Sequence, residues 1–323
     1  MQYRRLGQSD LKLSTIGFGS WAIGGGDWKF GWGNQDAREA IDAIIAAIDL
    51  GINWIDTAAV YGGGKSEELV GQALRELGPA RRPFVATKCG RVMRDPETID
   101  KVLKRDSIIA ECNASLQRLG IDCIDLYQMH WPEPDEDIEE GWQTLVDLKQ
   151  QGKVREIGVS NHSVAQLKRL QAIHPVCSLQ PPYSLIVPDT EQQLLPYCGE
   201  QKIGLVTYSP MYKGLLTGKF TAERAASLPA SDHRSRDPHF QSPQLEKHLQ
   251  VVDGLRAIAD KHHRTIAELA IAWVLRRPEV TSAIVGARRP SQVAETVKAA
   301  DWSLSAEDIQ AIDALRSNLP PSN

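Results

Sequence analysis

Gly17-Phe-Gly19-Ser-Trp-Ala22 carries the G-x-G-x-x-A spacing of a dinucleotide-binding turn. In a doubly wound open sheet, such a turn leads from the first strand straight into a helix whose start receives the pyrophosphate. Here it leads into Gly24-Gly25-Gly26, Gly31 and Gly33 instead. Glycine is a poor helix residue, so this continuation reads as a loop in which backbone can approach a ligand closely. The open sheet loses its signature, and the apolar run Thr15–Gly19 becomes the first strand of another parallel architecture.

Seven more short apolar runs follow: Asn53–Asp56, Phe84–Thr87, Ile124–Gln128, Val154–Val159, Ser178–Gln180, Gly204–Tyr208 and Ala283–Gly286. The segments between them have helical spacing. Gln35–Leu50 sets Ile41, Ile44, Ile45 and Ile48 on one face and stops at Gly51. Ser66–Leu77 opens with Ser66 as the expected N-cap, followed by two glutamates. Ser107–Leu119, Ile138–Gln151, Ser163–Ile173, Thr190–Gln201 and Pro290–Ala299 repeat the pattern. The seventh connection is longer, with a loop over Met211–Pro243 and helices over Leu245–His262 and Thr265–Arg276. Strand–helix units repeated in this way imply parallel strands and right-handed crossovers. The expected fold is α/β, a (β/α)8 TIM barrel with extra helices and an N-terminal hairpin. No Pro- or Ser-rich linker divides the chain, so residues 1–323 read as one domain.

Composition narrows the function classes. Hydrophobic residues are 42% and charged residues 24% of 323, ordinary for a globular protein and unlike a disordered or collagenous chain. A net charge of −4 gives no broad basic surface for nucleic acid or membrane. The start has no apolar core of signal-peptide length, and Ala40–Leu50 is too short and too polar to span a bilayer. Five scattered cysteines without a C-x-x-C pair fit a reducing, cytoplasmic setting. No cluster has zinc-ligand spacing, so no metal is expected.

On the active face of a barrel, the residues just after each strand carry the chemistry. Asp56 ends the second strand, with Tyr61 shortly after; Lys88 follows the third and His130 the fourth. Each has a plain structural reading alone: a loop cap, a packing ring, a snorkelling lysine, a satisfied histidine. Together at one mouth they form a proton-transfer set. A lysine beside a phenol favours the phenolate and lowers the tyrosine pKa, while a carboxylate positions the lysine. Such a tyrosine can protonate an oxygen that gains negative charge, and a histidine opposite can orient that oxygen. This is apparatus for carbonyl reduction. Because no side chain supplies hydride, a nicotinamide is implied.

The runs Gly17–Trp21, Asn53–Gly62, Ala86-Thr-Lys88, Asp125–Pro132, Ile157–Asn161, Tyr208-Ser-Pro210 and Gly214–Lys219 together resemble the aldo-keto reductase superfamily. They are most similar to its bacterial general-stress and inositol-locus branch, close to the potassium-channel β-subunit branch. The resemblance implies an NADPH-dependent oxidoreductase of aldehydes and ketones. It identifies Asp56, Tyr61, Lys88 and His130 as the catalytic tetrad, with Tyr61 the proton donor. It implies Ser160, Asn161 and Gln180 on the nicotinamide carboxamide and Tyr208 stacked on the ring. Ser209, Met211 and Gly214 match the pyrophosphate segment, and Ser20, Trp21 and Gly286 also match cofactor positions. Arg288, Gln292 and Glu295 match the adenosine-phosphate segment, although Thr296 stands where many relatives have Asn. Arg288 suits a 2′-phosphate, so NADP is preferred over NAD.

Trp21, Trp28, Phe30, Trp32 and Trp131 offer aromatic walls for a small carbonyl or alcohol substrate, and the 231–240 loop is placed to cover the mouth. The chain is expected to act as a monomer or weak homo-oligomer. Two other readings are a cofactor-binding regulatory subunit with little turnover and a lyase using Lys88 as a Schiff-base nucleophile.

Overall fold

The computed structural model describes residues 1–26, 28–317 and 319. Eight strands form a closed barrel: β1 Ile16–Gly19, β2 Trp54–Asp56, β3 Phe84–Cys89, β4 Ile124–Met129, β5 Val154–Ser160, β6 Ser178–Gln180, β7 Gly204–Thr207 and β8 Val280–Gly286. All eight neighbouring pairs are parallel, and β8 closes on β1 with Val285 beside Phe18. Every expected strand is present, displaced by no more than a few residues at its ends. This is a (β/α)8 TIM barrel.

Two-residue alternation fills the interior in layers. Trp54, Ala86, Leu126, Val206 and Ile284 meet in one buried cluster with Leu6, Leu11 and Leu13. Those leucines come from the expected N-terminal hairpin, Tyr3–Arg5 paired with Lys12–Ser14, which plugs the barrel floor. The next inward positions along β2, β3 and β4 are Asp56, Lys88 and Gln128, so the same alternation that builds the floor carries polar groups to the mouth.

Gly17 serves this packing. A Cβ there would lie 2.2 Å from the Trp54 indole, which crosses directly over it. The first glycine of the apparent fingerprint therefore makes room for a buried tryptophan. Gly17→Ala is expected to cost about 1–3 kcal/mol by overpacking, measured as a fall in the chemical-denaturation midpoint. Unchanged stability would remove this account.

The helices form an outer ring, among them Ala37–Asp49, Lys65–Leu77, Arg105–Leu119, Ile138–Gln150 and Val164–Gln171. Ser66 is not the N-cap of its helix; Gly64 is. Ser66 lies one residue inside, where its hydroxyl donates to the Ser20 carbonyl at 3.0 Å and sits 3.0 Å from Thr57 Oγ1, tying the helix to the ends of β1 and β2. The long seventh connection has its two helices, Gln244–Lys261 and Ile266–Leu275, the latter opened by a Thr265/Glu268 capping box. Besides a short helix, Ala222–Ala226, inside the expected Met211–Pro243 loop, two elements have no counterpart in the sequence reading. One is a hairpin, Arg91–Asp95 with Thr98–Lys101, standing beside the mouth after β3. The other is a final helix, Ala306–Arg316, which Ser305 and Asp308 open as a second capping box. Among the described residues, no helix is long and apolar enough to cross a membrane, and no group of three or more His, Cys, Asp or Glu is placed to hold a metal.

Candidate active site

Asp56, Lys88 and His130 reach one mouth because three adjacent strands end there in register. Asp56 pairs with Ala86 across β2–β3, and Lys88 with Gln128 across β3–β4. Tyr61 comes from the turn that follows β2. That turn runs through three glycines with positive φ, and a Cβ on Gly62 would lie 2.0 Å from the Gly24 carbonyl oxygen. Only a bare backbone can pack there, so Gly62 seats Tyr61 against the first loop.

The lysine is the hub. Lys88 is 1% exposed, and its Nζ donates to Asp56 Oδ1 at 2.9 Å, Asp56 Oδ2 at 2.8 Å and the Thr57 carbonyl at 2.8 Å. The Tyr61 hydroxyl is its fourth neighbour at 3.4 Å. Gln180 Nε2 donates to Asp56 Oδ1 at 2.8 Å from the opposite side. The Tyr61 and His130 rings meet nearly perpendicular, with centroids 5.8 Å apart. The four expected catalytic residues are therefore one contiguous group.

One part of the electrostatics differs from the sequence reading. The Tyr61 phenol is pushed well above its ordinary value, by burial first and then by Asp56 and Tyr208. Burial outweighs the ammonium that stands 3.4 Å away. Burial lowers Lys88 itself, against the opposing pull of Asp56. His130 is driven well below its ordinary range by burial and by the charges of Lys88 and Arg91. At neutral pH the site thus holds a neutral phenol, which can donate, beside a neutral imidazole.

A cleft of about 1160 Å³ opens above this group. A pocket for one compact ligand needs roughly 300–1,000 Å³, so this cleft has room for a long two-part ligand. Trp21, Ser160, Asn161, Gln180, Tyr208 and Ser209 line it near the tetrad. Met211, Gly214, Gly286, Arg288, Gln292 and Glu295 line it farther along. Ser20 stands apart: it is fully buried, and its hydroxyl donates to the Asp56 carbonyl at 2.8 Å. The tetrad and the amide-bearing residues are directly wired together. Asn161 Nδ2 donates to the His130 carbonyl at 3.0 Å, and the Tyr208 hydroxyl to Asn161 Oδ1 at 2.9 Å. Asn161 and Ser209 both hold positive φ, 63° and 57°, a strained backbone of the kind that collects at functional sites.

Several lining residues escaped the sequence reading. Arg91, Ile99 and Lys101 come from the unforeseen hairpin; Arg91 and Lys101 share Glu133. Lys213 and Lys219, on the loop after β7, pair with Asp237 and Glu295 at 2.6 and 2.7 Å. His233, from the 231–240 loop, lies against Trp21 and Trp32, each with centroids 4.8 Å away. This loop is docked on the first loop: Trp32 bridges Asp232, and the His233 N–H donates to the Gly31 carbonyl at 3.2 Å. Cys89 is buried, and burial pushes its thiol well up, so it is an unreactive packing residue.

A parallel barrel whose strand ends bring a phenol, an ammonium, a carboxylate and an imidazole to a long cleft defines a class of proton-transfer barrel. Comparison with known proteins identifies that class. Residues 15–317 match the Aldo/keto reductase family. "Aldo-keto reductase YhdN" of Bacillus subtilis (strain 168) is 38% identical over 319 residues, covering 98% of this chain and 94% of that protein. The "NADH-specific methylglyoxal reductase" of Escherichia coli (strain K12) is 37% identical over 316 residues, 94% of each chain. The solved glycerol dehydrogenase AKR11B4 from Gluconobacter oxydans superposes with a TM-score of 0.88 at 38% identity, covering 99% of this chain and 97% of its own. The chain belongs to the aldo-keto reductase family, whose members are oxidoreductases that use a nicotinamide cofactor.

Proposed function

We propose that this protein is an NADPH-dependent reductase of aldehydes and ketones, with Tyr61 as the proton donor. The observation that carries the reading is the Lys88–Tyr61–His130 arrangement at the floor of a cleft large enough for a dinucleotide and a small carbonyl compound together. A bound nicotinamide supplies the hydride. This chain's residues do the rest. Asn161 and Gln180 stand at the ends of β5 and β6, suited to an amide, and the flat ring of Tyr208 offers a stacking face. His130 orients the carbonyl oxygen as a neutral hydrogen-bonding group, and Tyr61 delivers its proton as that oxygen gains charge. In the reverse direction the same phenol accepts the proton of an alcohol.

The preference for NADPH rests on charge. Arg224 and Arg289 line the far part of the cleft with Lys213 and Lys219, and Asp237 and Glu295 are its only lining acids there among the described residues. That surplus suits a coenzyme bearing an additional phosphate. The relative named NADH-specific shows that this family member must be tested for both coenzymes. Residues 1–323 act as one domain, on a small-molecule carbonyl or alcohol, in the cytoplasm, as a monomer or weak homo-oligomer.

The test is spectrophotometric. NADPH and NADH oxidation are followed against a panel of small aldehydes, hydroxyaldehydes and ketones. Faster oxidation of NADPH with at least one carbonyl class is expected. Tight NADPH binding without turnover across the panel would favour a regulatory subunit and overturn the reductase.

A further inference from the structure

One guanidinium joins the loop after β8 to the loop after β1. Arg288 follows β8, and its Nε donates to Gln35 Oε1 at 2.6 Å, its Nη1 to the Trp32 carbonyl at 3.1 Å and its Nη2 to the Asn34 carbonyl. Its backbone closes the same knot: the N–H donates to Gln292 Oε1 at 2.8 Å, and the carbonyl accepts from Gln35 Nε2 at 3.3 Å. All three guanidinium nitrogens are engaged by residues 32–35. Arg289, one position on, has a side chain 63% exposed and meets Glu39 only at 3.8 Å.

What Arg288 holds leads to the proton donor. Trp32, whose carbonyl it takes, is gripped on its other side by Arg234, whose guanidinium lies 4.8 Å above the indole. Trp32 meets Trp21 edge-on, with ring centroids 5.2 Å apart. Trp21 donates its indole N–H to the Phe30 carbonyl at 3.1 Å and stacks on Tyr61 at 6.3 Å and 27°. The path runs from Arg288 through the Trp32 backbone and the Trp32 and Trp21 rings to the ring of Tyr61.

We propose that Arg288 is a positioning residue for the carbonyl substrate rather than a phosphate ligand, and that Arg289 is the arginine left to meet the adenosine phosphate. The second half rests on the NADPH reading above; the first half does not. A guanidinium presents its donors from three nitrogens in a rigid planar fork, a spread that the single nitrogen of an ammonium cannot match. Swinging it to a phosphate would strand three acceptors of the first loop and loosen the aromatic wall over Tyr61.

The test compares Arg288→Ala, Arg288→Lys, Arg289→Ala and Gln35→Ala in the full chain. Kd for NADPH and NADH is read by tryptophan quenching, and KM and kcat with the best carbonyl of the panel. Near-ultraviolet circular dichroism reports the Trp21–Trp32 pair without any ligand. Both Arg288 variants are expected to raise the carbonyl KM by about two- to thirtyfold, the span for residues that act through others. They should lower the near-ultraviolet signal and leave the NADPH-to-NADH affinity ratio unchanged, and lysine should not rescue. Arg289→Ala should lower that ratio. Selective loss of NADPH affinity in Arg288→Ala, with KM and the near-ultraviolet signal intact, would overturn the proposal. Should Arg288→Ala fail to fold, Gln35→Ala decides: an unchanged KM and an unchanged near-ultraviolet signal there overturn it equally. A wild type that binds both coenzymes alike removes the NADPH reading and the Arg289 assignment, while the KM and dichroism arms still judge Arg288.

Discussion

Tyr61→Phe is expected to abolish carbonyl reduction while the purified protein still binds NADPH. The substitution deletes one hydroxyl and keeps the ring that packs against Trp21, Trp28 and His130. Losing a positioned acid costs about 10²- to 10⁴-fold in rate, and the loss should fall on kcat. The pH dependence follows from the direction of the Tyr61 shift. Burial and Asp56 raise the phenol well above its ordinary value, so the donor form persists through neutral pH and into the alkaline range. Reduction should therefore not decline near neutrality through this group, and any fall it causes begins only in strong alkali. His130, displaced far downward by burial, stays neutral over the same range and adds no titration near pH 7. Turnover by Tyr61→Phe at the wild-type rate would remove Tyr61 from the proton-donor role. A titration near pH 7 traced to Tyr61 or His130 would contradict the electrostatics instead.

The strand ends were readable in the sequence because barrel chemistry obeys a positional rule. Asp56, Lys88 and His130 each follow a short apolar run, and strands of period two carry such residues to one mouth. Tyr61 is readable because it follows the second strand closely. What the sequence does not disclose is partnership. Nothing in Arg288 marks it as bound to Trp32, Asn34 and Gln35, about 250 positions earlier, since those contacts exist only once β8 closes beside β1. The direction of the Tyr61 shift is likewise not disclosed by the sequence. It depends first on how deeply the phenol is buried, and burial exists only in the folded chain. The hairpin over 91–101 is not legible in the sequence although Asp95-Pro96 is a turn signal, because its two strands are short and mostly polar. Ser66 has the composition of a cap, and the preceding glycines, which start the helix one residue sooner, override it.

The second large effect concerns Lys88, where stability and chemistry can be separated. Lys88→Met fills the same volume with an apolar chain and leaves the Asp56 carboxylate, 3% exposed, with Gln180 as its remaining side-chain partner. Breaking a buried ion pair from one side costs about 3–5 kcal/mol, because the other charge stays buried without compensation. The variant should unfold at clearly lower denaturant and show no measurable reduction. Adding Asp56→Asn removes the stranded charge. The double variant Asp56→Asn/Lys88→Met should then recover much of the lost stability, since no buried charge is left without its partner. Its activity should stay lost, because the ammonium beside the Tyr61 hydroxyl is still missing. Equilibrium unfolding and steady-state rates on the three proteins read the two effects independently. A single variant as stable as wild type would show that the pair is not a buried charge balance, and a double variant that regains turnover would deny Lys88 any part in the chemistry.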